Sequence, residues 1–193
     1  YSINNSSLKD AIVSLGGGSC TAEMISSKGL MLTNHHCAYG SIQEHSSVGN
    51  NYLKDGFWAM SPEEELQNEG LTASFLISIE NVTEKVLAEL NVDMTEKERS
   101  AKIREVSRLI ENESTKDTHY SARVKSFFGG NDFYILTYET FKDVRLVGAP
   151  PSSIGAFGGD TDNWMWPRHT GDFALYRIYC GPDGKPADYS VGN

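Results

Sequence analysis

The spacing of apolar and polar positions divides the chain into three stretches. From about residue 10 to 60, short apolar runs alternate with turn residues. Thr21–Ile25 predicts a strand, Ser26-Ser27-Lys28-Gly29 a turn and Leu30–Thr33 the returning strand. Cys20 then stands at the entrance of a hairpin, and His35-His36 at its exit on an extended chain. Gly16-Gly17-Gly18 just ahead bends the backbone or lets it approach a neighbour closely. A phosphate cradle is the weaker reading, because no Lys-Ser/Thr follows and no helical pattern opens there.

The second stretch, about 61–117, predicts helix. Ser61-Pro62-Glu63-Glu64 offers a cap residue, a proline in the first turn and a glutamate three positions after the cap. Thr95-Glu96-Lys97-Glu98 repeats the capping-box pattern. Behind it Ile103, Val106 and Ile110 share one face while Glu98 and Lys102 stand four apart on another, the pattern of a surface helix with one apolar stripe. The third stretch, 119–193, returns to strands. Ser121–Phe128, a Gly129-Gly130-Asn131-Asp132 turn and Phe133–Tyr138 predict a hairpin. Val144–Val147 runs up to Pro150-Pro151, and Phe173–Tyr179 predicts a strand closed by Gly181-Pro182-Asp183-Gly184. The fold class that follows is mainly β with helical insertions.

Composition narrows the function. At 193 residues, 39% hydrophobic and 22% charged, the chain has the apolar mass for a globular core. A net charge of −9 disfavours nucleic acid, whose phosphates demand clustered Lys and Arg. No apolar run approaches the roughly 18–20 residues of a membrane helix. The chain opens at Tyr1-Ser2-Ile3-Asn4 without a methionine, which is expected if a targeting segment has been removed. Of three cysteines, Cys20 and Cys37 are placed to bridge in an oxidising compartment, leaving Cys180 single or paired elsewhere.

The chemistry concentrates in two places. His36-Cys37, with Cys20 one hairpin upstream and Asp172 entering the apolar run Phe173-Ala174-Leu175-Tyr176, supplies two parts of a Ser-His-Asp arrangement: a general base and a carboxylate that fixes its tautomer. A purely structural histidine remains the competing reading of His36. Asp160 and Asp162 sit in Gly-rich turn sequence, where local backbone bonding accounts for them, so Asp172 is the better orienting acid. His35, His36, Cys37 and His45 also invite zinc, but adjacent histidines on an extended chain point apart, and the paired ligand spacing of structural zinc is missing. The run from Phe157 to Asp172 is the second place. It gathers two tryptophans, three further polar residue types and three aspartates, a composition that favours binding over core filling, although Trp166-Pro167 reads equally well as packing.

The blocks Cys20–Ser26, Gly29–Gly40, Ile42-Gln43, His45-Ser46, Asp55–Ala59 and Asp160–Arg177 together resemble the bacterial dipeptidyl-peptidase 7 and 11 family, exopeptidases of the chymotrypsin clan. The likeness runs from about Leu15 to Tyr189. It implies the first β-barrel of a double-barrel protease, with His36 as general base and Asp172 as orienting acid. It also implies that Asn163 and Trp164 grip the free amine of the substrate, which suits an amide acceptor and an indole face toward an ammonium. No Gly-x-Ser-Gly segment occurs, and Ser19, Ser46 and Ser152 lack the glycine setting of an oxyanion hole. Residues 1–193 are therefore expected to be the N-terminal part of a peptidase domain, with a helical excursion at about 61–117. The helical domain, the second barrel and the nucleophile would lie outside it.

On this reading the chain is inactive by itself. Its partners are oligopeptides and neither nucleic acid nor membrane, with a homodimer left open for the full-length protein. No cofactor or metal is called for, and the compartment is the periplasm, the cell surface or the exterior. The alternative from another class is a non-catalytic peptide-binding domain that keeps a protease-like barrel.

Overall fold

A computed structural model describes residues 4–159 and 166–190. The strands of its first half are β1 (Ile12–Leu15), β2 (Cys20–Met24), β3 (Leu30–Thr33), β4 (Phe57–Trp58), β5 (Leu66–Gln67) and β6 (Ala73–Asn81). Helices α1 (His35–Glu44) and α2 (Tyr52–Asp55) lie between β3 and β4. After β6 come α3 (Thr83–Leu87), α4 (Glu96–Thr115), β7 (Ser121–Phe127), β8 (Asp132–Phe141) and β9 (Val144–Ala149). Helix α5 (Ser152–Gly155) and β10 (Ala174–Ile178) complete the order. The chain is mainly antiparallel β with few helices, as its pattern predicts. It divides into two compact units, one of Ala11–Ser74 with Phe141–Asn193 and one of Tyr1–Asp10 with Phe75–Thr140.

In the first of these units the strands run in the order β4-β9-β10-β3-β2-β1, with β5 also on β9. The β2–β3 hairpin has the predicted turn. Gly29 adopts φ +76°, and a Cβ there would lie 2.4 Å from the Ile178 carbonyl oxygen, so the position admits only glycine. Alternation does the rest: Val13, Leu15, Ala22, Met31, Leu146 and Tyr176 are buried while their neighbours in sequence face outward. The tyrosine hydroxyl, removed from water, is pushed up to about 12. A β-bulge between Leu175 and Tyr176 shifts the register of β10 against β9 shortly after Asp172.

The second unit is organised around α4. Thr95 Oγ1 accepts from the Glu98 backbone, and the Glu98 carboxylate accepts from the Thr95 backbone, so the capping box is complete. Ile103 and Ile110 pack with buried Val106 against Val82, Val86, Ala122, Phe133 and Ile135. The β7–β8 hairpin keeps an unbroken register from Ser121↔Tyr138 to Phe127↔Asp132. Lys102 pairs with Glu105 and Glu89 rather than with Glu98, because the cap has already engaged that carboxylate.

Two expectations need correction. The stretch from residue 61 is not continuously helical: Pro62–Glu64 makes one 3-10 turn, then β5 and β6 follow. Ser61 makes no side-chain cap, the Glu64 carboxylate is taken by the Met60 N–H at 2.8 Å, and Glu65 turns inward. There its two oxygens accept from Arg177 Nε at 2.8 Å and the Tyr179 hydroxyl at 2.6 Å. The residues after Gly70 are rich in β-branched and aromatic side chains, which suits a strand. The second correction concerns His35 and His36. They do not leave the hairpin on extended chain but open α1.

Candidate active site

Helix α1 begins at the end of β3, so the turn from sheet to helix delivers His35, His36 and Cys37 as its first three residues. Successive residues on a helix point about 100° apart, and the two imidazoles accordingly have different surroundings. His35 is buried, edge-on to Tyr39, with its Nε2 3.5 Å from Ser152 Oγ on α5. Its ring lies so close to Gly155 that a Cβ there would approach within 2.5 Å, which obliges residue 155 to be glycine. His36 is 40% exposed along its side chain and turns Nδ1 toward Asp172, whose own side chain is 3% exposed.

Asp172 stands two residues before β10, where the apolar strand pulls it inward. Its Oδ2 is 2.8 Å from His36 Nδ1. An ionised carboxylate only accepts, so Nδ1 must carry the proton, and the neutral ring keeps its lone pair on Nε2. Oδ1 accepts from the His36 backbone N–H at 3.1 Å, one of the donors a helix N-terminus leaves unpaired. Asp172 thus caps α1 from far along the chain. The local cap residue, Asn34, makes no capping bond of its own and donates Nδ2 to Asp172 Oδ2 at 3.1 Å and to the Asp172 carbonyl at 3.2 Å. Arg168 Nη2 donates to the same Oδ2 at 3.2 Å.

Burial pushes the Asp172 carboxyl up, but the His36 backbone N–H, the His36 ring and the Asn34 amide outweigh it. The net effect holds the group below its ordinary value. For His35 burial dominates and lowers the imidazole, against the opposing effects of Asp172 and the Pro150 backbone.

Cys20 and Cys37 form a disulfide with Cα atoms 6.1 Å apart, tying the residue after His36 to the first residue of β2. Cys180 is a free, exposed cysteine. Two aromatic side chains border this region: Trp58 and Phe173 lie with ring centroids 6.1 Å apart and are both partly exposed. The segment reaching Asp172 is held by α5, since the Gly171 N–H donates to the Ile154 carbonyl at 2.7 Å.

The structure therefore brings together His36, Asp172, Cys20 and Cys37. Asn163 and Trp164, together with Asp160 and Asp162, lie outside the described residues. Among the described residues, no three His, Cys, Asp or Glu side chains gather as a metal site would require, and His35 and His36 are taken by separate partners. Asn34 and Arg168 have no assigned role in the sequence reading. The signal for Asn34 was a cap-type residue immediately before the first helical position. Arg168 stood in view within the polar run, but nothing local showed which aspartate it meets.

Similarity to known proteins supplies the context. A dipeptidyl-peptidase 7 from Capnocytophaga gingivalis is 50% identical over 193 residues, covering 100% of this chain and 27% of that protein. An Asp/Glu-specific dipeptidyl-peptidase from Flavobacterium psychrophilum is 51% identical, again over 100% of this chain and 27% of that protein. The chain thus spans about a quarter of the length of the curated relatives it matches. The crystal structure of Porphyromonas endodontalis DPP11 in complex with substrate superimposes with a TM-score of 0.83 at 48% identity, covering 99% of this chain and 28% of that one. The sequence model of Peptidase S46 matches residues 1–193, and the chain belongs to that family.

Proposed function

We propose that the chain is part of a serine-type dipeptidyl-peptidase, in which His36 is the general base and Asp172 its orienting acid. The observation that carries this reading is the His36 Nδ1 to Asp172 Oδ2 contact at 2.8 Å. It leaves Nε2 on a partly exposed ring free to take the proton of an attacking hydroxyl and later return it to the leaving amine. Asp172 holds the tautomer and balances the imidazolium that forms. The nucleophilic serine and the oxyanion donors belong to the part of the peptidase outside these residues, so residues 1–193 alone do not turn over substrate. They are the N-terminal part of the peptidase domain and contribute its first barrel.

The substrates on this reading are oligopeptides with a free N-terminus, shortened two residues at a time. Asn163 and Trp164 bind the terminal ammonium, a role that rests on the family resemblance. Anchoring the amine sets the distance to the scissile bond and so defines a dipeptide product. The Cys20–Cys37 bridge favours a compartment outside the cytoplasm. No helix among the described residues is long and apolar enough to cross a membrane.

In the full-length peptidase, Asp172→Asn is expected to lower kcat by about 10⁴-fold and His36→Ala by about 10⁶-fold. Dipeptidyl substrates with free and acetylated amines, assayed beside thermal melts, test this. Near wild-type turnover in a folded His36→Ala enzyme would sink the assignment of the base, whereas a folded full-length wild type that turns over no peptide would leave a peptide-binding domain in its place.

A further inference from the structure

Three donors converge on a single oxygen of Asp172. The His36 ring, Asn34 Nδ2 and Arg168 Nη2 approach Oδ2 at 2.8, 3.1 and 3.2 Å, whereas Oδ1 receives the His36 backbone N–H at 3.1 Å. A carboxylate oxygen has two in-plane lone pairs, so three donors over-commit it. The ring and the guanidinium therefore compete for the same electron density. The competition is between a cation already present and one that forms during turnover. Arg168 is 33% exposed, and Asp172 is enclosed.

Resting on the peptidase reading above, we infer that Arg168 is a positioning residue for the reaction. Its guanidinium shares Asp172 Oδ2 with His36, fixes the carboxylate in the rotamer that meets the ring, and sets how much negative charge the ring faces. The neutral donor Asn34 fixes direction without altering charge. Arg168 does both, because it is always protonated and its rigid, planar guanidinium aims Nη2 at Oδ2. From the same helix His35 also acts on the pair electrostatically, while α5 offers His35 the neutral Ser152.

The sign follows from charge. With Arg168 in place the forming imidazolium has a like-charged neighbour and a partly neutralised carboxylate. Both disfavour protonation of the ring. Removing the guanidinium makes the ring easier to protonate in the free enzyme, so the acid limb of the kcat/KM profile moves to higher pH. Loss of the rotamer constraint lowers kcat at the pH optimum by roughly 3- to 10-fold, as for a partly exposed charge-assisted bond.

The test uses the full-length peptidase with Arg168→Gln and Arg168→Lys, measured as kcat and KM from pH 5 to 9 beside thermal melts. The expected result for the glutamine variant is a lower kcat, a KM within about twofold of wild type and an acid limb displaced upward. The lysine variant, which keeps the charge but loses the fork, returns the limb to the wild-type position with kcat in between. Overlaying pH profiles for wild type and Arg168→Gln would overturn the proposal. So would a raised KM with kcat intact, which would make Arg168 a substrate ligand. If the glutamine variant fails to fold, a displaced acid limb in Arg168→Lys overturns it instead. Failure of the underlying reading is separable, because it appears as activity that survives His36→Ala or as a folded wild type without turnover.

Discussion

Burial lowers the His35 imidazole below the ordinary histidine range, more than Asp172 and the Pro150 backbone raise it. The native state therefore keeps this ring neutral under conditions where the unfolded chain, with a histidine pKa of about 6.5, takes up a proton. The unfolded state binds more protons as pH falls, so His35 withdraws stability below about pH 6.5, with a slope of at most about 1.4 kcal/mol per pH unit. Above that pH it contributes no slope. Urea titrations at pH 7.5 and 5.5 are expected to show a larger acid loss for wild type than for His35→Gln. Parallel losses in the two proteins would place the acid sensitivity elsewhere. His36, one position later, has the opposite surroundings: it is partly exposed and paired with a carboxylate.

At the scale of elements, the two longest helices begin by different means. Helix α4 is capped locally by Thr95 and Glu98. Thr95→Ala is expected to cost about 1 kcal/mol, visible as faster amide exchange in the first turn of α4 and a lower unfolding midpoint. Unchanged exchange there would show that the packing of Val106 alone holds the helix end. Helix α1 borrows its cap from Asp172. That difference explains what was legible in the chain. The capping box, the β2–β3 and β7–β8 hairpins and the strand before Pro150 all have signals within a few residues, and all are present. The helix at His35 offers only Asn34 as a local cap-type residue, and that side chain makes no cap bond, because the cap lies 136 residues away in sequence. The stretch after Ser61 misleads for the converse reason. Its local cap pattern is sound, but long-range partners Arg177 and Tyr179 draw Glu65 inward and the chain continues as strand. The pairing of His36 with Asp172 was legible as a choice among aspartates. The donors Asn34 and Arg168, which depend on where loops meet, were not.

At the scale of the whole chain, the Cys20–Cys37 bridge is the one covalent tie across the site, with a sequence separation of 17. For a loop near this size the chain-entropy model gives about 3 kcal/mol of stabilisation. Reduction, or the double change Cys20→Ser with Cys37→Ser, is expected to remove about that much and, on the proposed function, to lower activity of the full-length protein, since α1 loses its anchor beside His36. Denaturant midpoints with and without reductant measure it, and coincident curves would contradict it. The net charge of −9 on these 193 residues is unfavourable to polyanions.

The double attachment of Asp172 has a consequence for anyone comparing sequences of this family. One oxygen of the carboxylate starts a helix and the other meets the His36 ring, so folding alone is reason enough for an acceptor at this position. A lineage that abandoned proteolysis and kept the domain as a peptide receptor would still retain Asp172, or replace it with asparagine, which also accepts at the helix end. His36 has no such second duty in its ring. If His36 is the base as proposed, the histidine is the position to inspect first in a decayed relative, and an intact aspartate beside an altered histidine would mark a silenced enzyme.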